Sequence, residues 1–226
     1  MGYVLITANR NYSSWSLRPW VLMQALDIPF EDRIEPFTKP TNYDAFRSFS
    51  PTGQVPALLH EGRTLHDSLG ITLYLADRHQ GVWPADADAR AWAQCAVAEM
   101  HSGFSALRSD CTMNVGVRVT PKPMSAALKA NVARIAEIFA EGLKRFGGPW
   151  LAGAEFSAAD AFFAPVAFRI RTYGLDVGAG QAWVDHVLAH PAMRDWERQA
   201  IAETWREDGH EAELAEAGAI TADYRA

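Results

Sequence analysis

The chain has 226 residues, 49% of them hydrophobic and 21% charged, with a formal net charge of −6. That balance belongs to a globular protein with room for one large domain or two small ones, and an acidic excess without any basic run excludes an electrostatic nucleic-acid binder. Cys95 and Cys111 are too few and too far apart for a zinc site or a disulfide framework, which points to a reduced, cytoplasmic setting.

Residues 1–6 lack the basic flank and long apolar core of a signal peptide, and residues 3–8 read as a compact apolar strand. Over 16–26, Leu17, Val21, Leu22 and Ala25 share one side of a helix. Pro19 falls in its first turn, where a missing N–H is tolerated. A second strand over 30–36, a short helix over 43–49 and a hairpin of 56–60 with 64–65, turning at Glu61-Gly62-Arg63, come next. An amphipathic helix over 68–78 completes a small mixed sheet with helices around it.

Gln80-Gly81-Val82-Trp83-Pro84-Ala85-Asp86 breaks this pattern and reads as a linker. Beyond it every strong signal is helical, over 88–108, 125–145, 158–171, 181–189 and 192–205. Gly147-Gly148-Pro149 stops the second of these helices, and Ser157 with Asp160 forms a capping box at the start of a buried apolar one. The expected organisation is an α/β domain at 1–79, a linker at 80–87 and an all-helical domain at 88–226. No apolar run reaches membrane-spanning length, and the polar residues after Glu207 read as a loosely held tail.

Gly53-Gln54-Val55-Pro56-Ala57-Leu58-Leu59, with His66-Asp67-Ser68 just beyond, is the most informative stretch. The residue before a proline is extended, Pro56 fits only a strand start or edge, and such a junction suits a cis peptide. Val55 can then offer its N–H and C=O to an extended peptide, as in strand addition. The free N–H groups where Asp67-Ser68 opens a helix make a carboxylate seat. An ordinary hairpin with a capped helix behind it fits the same residues equally well. Asn11-Tyr12-Ser13-Ser14-Trp15-Ser16-Leu17-Arg18-Pro19 is similarly open. Ser14 or Ser16 suits an N-cap. Alternatively a hydroxyl there, aided by the positive helix end, lowers a ligand thiol pKa from about 8.5 by roughly a unit or two.

Together Ser13-Ser14-Trp15-Ser16-Leu17-Arg18, residues 53–58, Asp67-Ser68 and Ser157-Ala158-Ala159-Asp160 resemble the soluble glutathione transferases, and the resemblance covers the whole chain. It implies a thioredoxin-like N-terminal domain, a helical C-terminal domain, glutathione as co-substrate and no metal. In that family the proline is cis and the residue before it pairs with the cysteinyl backbone of glutathione, while the acid and serine hold the γ-glutamyl end. Here those positions are Val55, Pro56, Asp67 and Ser68, with His66 where many members have Thr. The resemblance points to Ser13, five residues before Arg18, as the thiol's donor, with Ser14 the alternative and Tyr12 a third candidate. Lys39, Arg47 and Gln54 are the nearby groups for the glycine carboxylate, and Ser157 and Asp160 are structural.

The second substrate would lie between the domains, against His101, Phe104, Arg108 and Met113, with Met100 and Asn114 beside them; the same residues fit a helix core. Arg108, if it faces the cleft, suits an acidic electrophile. Cys111 has nothing beside it to lower its pKa and reads as inert. The resemblance implies a cytoplasmic homodimeric glutathione S-transferase of detoxification type, acting on a small electrophile, without nucleic acid or membrane partners. The Ser-Ser-Trp-Ser run is similar to the Ser-Ser-Cys-Ser run of zeta-class enzymes, with Trp15 replacing the cysteine, so a glutathione-dependent cis–trans isomerase of the maleylacetoacetate isomerase type is the alternative. A non-catalytic binding or regulatory protein on the same fold is a third reading, disfavoured by Ser13, Asp67 and Ser68, because such a protein needs no thiol activation.

Overall fold

The structure, a computed structural model, describes residues 2–38 and 42–226. β1 (Tyr3–Thr7) and β2 (Phe30–Ile34) run parallel, with α1 (Ser14–Ala25) as the crossover that parallel strands require. After α2 (Tyr43–Phe46), β3 (Ala57–His60) pairs antiparallel with β1 and β4 (Arg63–Leu65) antiparallel with β3, giving the order β2-β1-β3-β4. Pro56 stands just before β3, so its missing N–H is not asked of the ladder. The two-residue loop between β3 and β4 has φ of 49° at Glu61 and 75° at Gly62, the positive pair that a tight hairpin of right-twisted strands prefers. α3 (Ser68–Ala76) closes this half.

α1 starts two residues earlier than its apolar spacing suggests. Pro19 therefore lies inside the helix rather than in its first turn and gives no N–H to the Trp15 carbonyl. Leu17, Trp20, Val21, Leu22 and Met23 are buried in a core that continues into the second half, where α1 packs on α7 and α9. Arg10 joins the two halves. Its guanidinium pairs with Asp32 and sits 4.3 Å from the Trp196 ring centroid, while Trp196 Nε1 donates to the Arg10 carbonyl at 2.9 Å.

The second half is helical, as expected: α4 (Ala87–Ser102), α5 (Ser105–Asp110), α6 (Ala126–Phe146), α7 (Ala158–Tyr173), α8 (Gln181–Ala189), α9 (Pro191–Ala202) and α10 (Asp208–Ala217). Every residue of α7 except Arg171 is buried, and its capping box forms. Asp160 accepts from Leu151 N at 2.9 Å, Ser157 N at 3.0 Å and Trp183 Nε1 at 2.9 Å. Burial still pushes its carboxyl up to about 6 against those donors.

Two expectations are corrected. The single helix over 88–108 is broken at Gly103, and Phe104 adopts a left-handed φ of 62° to start α5. The guanidinium of Arg108 then folds back and donates to the Met100 and Gly103 carbonyls that the break leaves open. The residues after Glu207 are not loose. They form α10 and then β6 (Gly218–Asp223), which pairs antiparallel with β5 (Val117–Pro121). Beyond β6, Tyr224 N donates to the Gly116 carbonyl at 2.8 Å. Arg225, its side chain 4% exposed, pairs with Glu211 and Asp223. Among the described residues no helix is long and apolar enough to cross a membrane.

Candidate functional site

A cavity of about 670 Å³ opens where the start of α1, the turn into β3, the α5 region and α10 converge. The serine loop forms its floor. Tyr12 N and Ser13 N both donate to the Asn9 carbonyl, at 3.2 and 2.9 Å, which curls the chain tightly before α1. The loop is clamped from behind by the buried Glu203, whose carboxylate accepts from Arg10 N at 2.6 Å and Asn11 N at 3.2 Å. Ser13 occupies the N-cap position of α1 but makes no capping bond, so the capping explanation for this serine run does not hold. Its Oγ donates to Ser16 Oγ at 2.7 Å, and Ser16 Oγ accepts from Ala8 N at 3.3 Å. Ser14 also lines the cavity, and its hydroxyl has no hydrogen bond among the described residues. Tyr12 is differently disposed: its hydroxyl donates to Glu211 Oε1 at 2.6 Å. Burial, followed by that hydrogen bond, pushes its pKa far above the ordinary phenol value.

Gln54, Val55 and Pro56 line the cavity beside the serines, and the Val55–Pro56 peptide is cis. The N–H and C=O of Val55 make no hydrogen bond among the described residues, which leaves both open to a ligand. Gly53 supports the turn with a φ of 65°, and a Cβ there would come within 2.5 Å of the Tyr43 ring. Asp67 reaches the cavity while capping α3, its Oδ1 accepting from Leu69 N at 2.8 Å. Ser68 lies outside the cavity lining. It is fully buried, and its Oγ accepts from Arg18 Nη1 at 3.4 Å. Arg47 is exposed beside Tyr43 and away from the lining, and Lys39 lies outside the described residues.

Of the four acceptor-side candidates, Arg108 and Met113 line the cavity and the other two do not. Phe104 is buried at the helix break. His101 stands behind Asp67, with Nε2 at 3.3 Å from Asp67 Oδ2, and packs edge-on against Trp15 at 5.3 Å. Burial lowers its pKa more than Asp67 raises it, so at neutral pH it faces Asp67 as an uncharged imidazole. The Trp15 ring lies between two guanidiniums, Arg18 at 4.2 Å and Arg108 at 4.9 Å. Arg169, 5% exposed, adds a further cation to the lining. It donates from Nε to the Cys111 carbonyl at 2.8 Å and from Nη1 to the Pro165 carbonyl at 3.3 Å. Burial first, then Arg108, lowers its pKa to about 10. Among the described residues none of Arg18, Arg108 and Arg169 has a carboxylate within ion-pair distance. Cys111 is buried, and burial pushes its thiol up to about 11, away from reactivity.

α10 supplies a wall that the sequence reading missed: Glu207, His210 and Glu213. The i, i+3 spacing of Glu207 and His210 at the start of a helix was the available signal. His210 Nδ1 lies 2.6 Å from Glu207 Oε2, and the imidazole stacks on Tyr12 at 4.8 Å and on Phe37 at 5.3 Å.

Residues 12–78 match the family model for the glutathione S-transferase N-terminal domain, and residues 125–199 match that for the C-terminal domain. The chain is 29% identical over 168 residues to glutathione S-transferase GstA of Escherichia coli O157:H7, covering 68% of this chain and 77% of that protein. It is 25% identical over 179 residues to the Drosophila melanogaster protein named "Probable maleylacetoacetate isomerase 2", covering 77% of each. Among solved structures, a glutathione transferase homolog from Burkholderia gl BGR1, with bound glutathione, superposes with a TM-score of 0.67 at 21% identity over 88% of this chain and 98% of that one. A tau-class enzyme from mango gives 0.66 at 18% identity over 95% and 97%. The two family models span more than half of the sequence on the fold described above, and the chain belongs to the glutathione S-transferase family.

Proposed function

We propose that the protein is a glutathione S-transferase that seats glutathione along 53–67, activates its thiol at the serine loop, and presents a small electrophile from the helical side. The observation that carries this reading is one cavity lined by Ser13, Ser14, Gln54, Val55, Pro56 and Asp67 together. The open N–H and C=O of Val55 suit the cysteinyl backbone. Asp67 suits the γ-glutamyl ammonium. On this division residues 1–79 serve glutathione and 88–226 serve the acceptor.

The thiolate is stabilised by a hydroxyl donor at the positive end of α1. The spacing to Arg18 favours Ser13, but the unengaged hydroxyl favours Ser14, because Ser13 reaches sulfur only by releasing Ser16. The sulfur lone pair attacks the electrophilic carbon, a C–S bond forms, and the bond to the leaving group breaks with its electron pair. Much of the acceleration comes from holding the two reactants at contact.

A second reading is supported by Arg108 and Arg169, two guanidiniums that line the cavity without a carboxylate partner among the described residues. Uncompensated buried cations are costly and suit a carboxylate on the acceptor. That chemistry fits a glutathione-dependent isomerase, in which the thiolate adds to a double bond and is expelled after rotation. Calorimetry with glutathione tests the seat, and absence of heat at millimolar ligand would overturn both readings in favour of a non-catalytic protein. Turnover of a maleyl-type acid against a chlorinated aromatic separates isomerase from transferase. A cytoplasmic homodimer accompanies the proposal, and light scattering tests the dimer.

A further inference from the structure

We propose that His210, held by Glu207, is the base that takes the proton from the glutathione thiol, an inference that rests on the glutathione reading above. A hydroxyl donor stabilises a thiolate once formed, but Ser13 and Ser14 cannot accept the proton at neutral pH, and Tyr12 donates its own to Glu211. The imidazole of His210 stands one ring-stack, 4.8 Å, from Tyr12, the residue before the serine pair, and lines the same cavity. Its orientation is fixed on three sides. Phe37 also stacks on the imidazole at 5.3 Å, and Nδ1 is hydrogen-bonded to Glu207 at 2.6 Å. Nε2 has no partner among the described residues and is the atom left to accept a proton.

Glu207 is built to hold that arrangement. Its side chain is 6% exposed. Burial pushes its carboxyl up, but the N–H groups of His210 and Gly209 and then the His210 ring outweigh this and hold it below the ordinary glutamate value. It stays an anion, takes the Nδ1 proton as its hydrogen bond, and leaves Nε2 basic, the same base-and-orienter logic that activates nucleophiles elsewhere. In the step, the S–H bond breaks, its electron pair remains on sulfur, and the proton moves to Nε2. The resulting imidazolium is stabilised by Glu207 and by the new thiolate. Once sulfur has attacked, the same proton leaves with the departing group or passes to solvent. Asp67, Glu213 and His66 also face the cavity. A carboxylate is a weaker base than an imidazole by roughly two pK units, and among the described residues the exposed His66 imidazole lacks the carboxylate and stacked rings that orient His210.

The test counts protons. Apo protein and glutathione are mixed at about pH 8, where free imidazoles are largely neutral, in weak buffer with a pH indicator. Thiolate absorbance is recorded in parallel, and calorimetry confirms binding. Wild type is expected to release well under one proton per thiolate formed, because His210 retains it. His210→Gln keeps a polar side chain at this position but is not a base, and is expected to form less thiolate and to release about one proton for each. A full proton released by wild type, or the same sub-stoichiometric count in both proteins, overturns the proposal, the second outcome moving the role to His66, Glu213 or Asp67. If His210→Gln does not fold, His210→Asn is compared in its place, and a full proton from wild type remains decisive against the proposal. Absence of binding heat with wild type overturns the glutathione reading itself and is separate from the proton count.

Discussion

Tyr12 donates its phenolic proton to Glu211 across 2.6 Å, joining the serine loop to the first turns of α10. Glu211 is held in turn by Arg225, so the phenol is the outer link of a chain that runs back to the end of β6. A phenol so placed is a tether rather than an activator of sulfur. Tyr12→Phe is expected to leave the pKa of bound glutathione thiol unchanged and to lower stability by about 1.5–3 kcal/mol, the net value of one hydrogen bond to a charged group. Thiolate absorbance titration and urea unfolding measure the two, and a raised thiol pKa would return Tyr12 to the candidates.

The two serines differ in what their hydroxyls already do, and this separates their variants. Ser14→Ala is expected to raise the bound thiol pKa by about one to two units while calorimetry still detects glutathione. Ser13→Ala is expected to shift it less, because its hydroxyl mainly serves Ser16. The reverse ranking assigns the donor to Ser13.

Arg108 both closes α4 and faces the cavity, so its charge and its capping role must be read apart. Arg108→Met is expected to lower kcat/KM for a carboxylate-bearing acceptor by about ten- to a hundredfold, the value of a charge-assisted hydrogen bond. Its methyl ester should suffer much less. Equal losses on acid and ester would show that capping, not anion binding, is what Arg108 supplies.

Asp160 sets a pH dependence of stability with an unusual sign. Its carboxyl has an ordinary value of 3.8 and a folded value of about 6, raised by burial. Between those values the folded protein holds a proton that the unfolded chain has lost, so its contribution falls as pH rises from about 4 to about 6. Two units correspond to roughly 3 kcal/mol. Asp160→Asn removes this titration and turns an amide N–H₂ or a lone carbonyl toward donors on Leu151, Ser157 and Trp183. The stability gap between wild type and Asp160→Asn should therefore be largest at pH 4 and narrow by roughly 3 kcal/mol by pH 7. Urea midpoints across that range check the slope, and a constant gap would show that Asp160 does not titrate there.

The parts of this protein that were legible in its sequence are those governed by near neighbours. A proline before an apolar strand, a glycine turn, Asp67 ahead of α3 and the capping box at Ser157 and Asp160 all act within a few residues. The break at Gly103 was less readable, because the apolar spacing runs through it and the group that stabilises it, Arg108, arrives one turn later. β5 and β6 were unreadable for a different reason. They are short, and Val117 pairs with Asp223 across more than a hundred residues, so nothing local announces either strand. The same distance hid half of the cavity. His210 and Glu207 belong to a stretch whose polarity suggests a tail, and only pairing of β6 with β5 brings α10 over the serine loop.

Gly116 sits at a close approach beside this long-range pairing. A Cβ there would come within 2.4 Å of Arg225 Cγ and 3.2 Å of Asn11 Oδ1, and Asn11 Oδ1 already accepts from Gly116 N at 3.0 Å. Residues 218–226 are thus a structural neighbour of the serine loop, although more than two hundred positions separate them in sequence. Removing the stretch after Gly218 strips Arg225 from Glu211, the acceptor of the Tyr12 phenol, and takes β6 from β5. Past β6, Ala226 N donates to the Ile201 carbonyl at 2.8 Å and its carbonyl accepts from Arg206 at 2.7 Å, so this stretch is held against α9 as well as along β5.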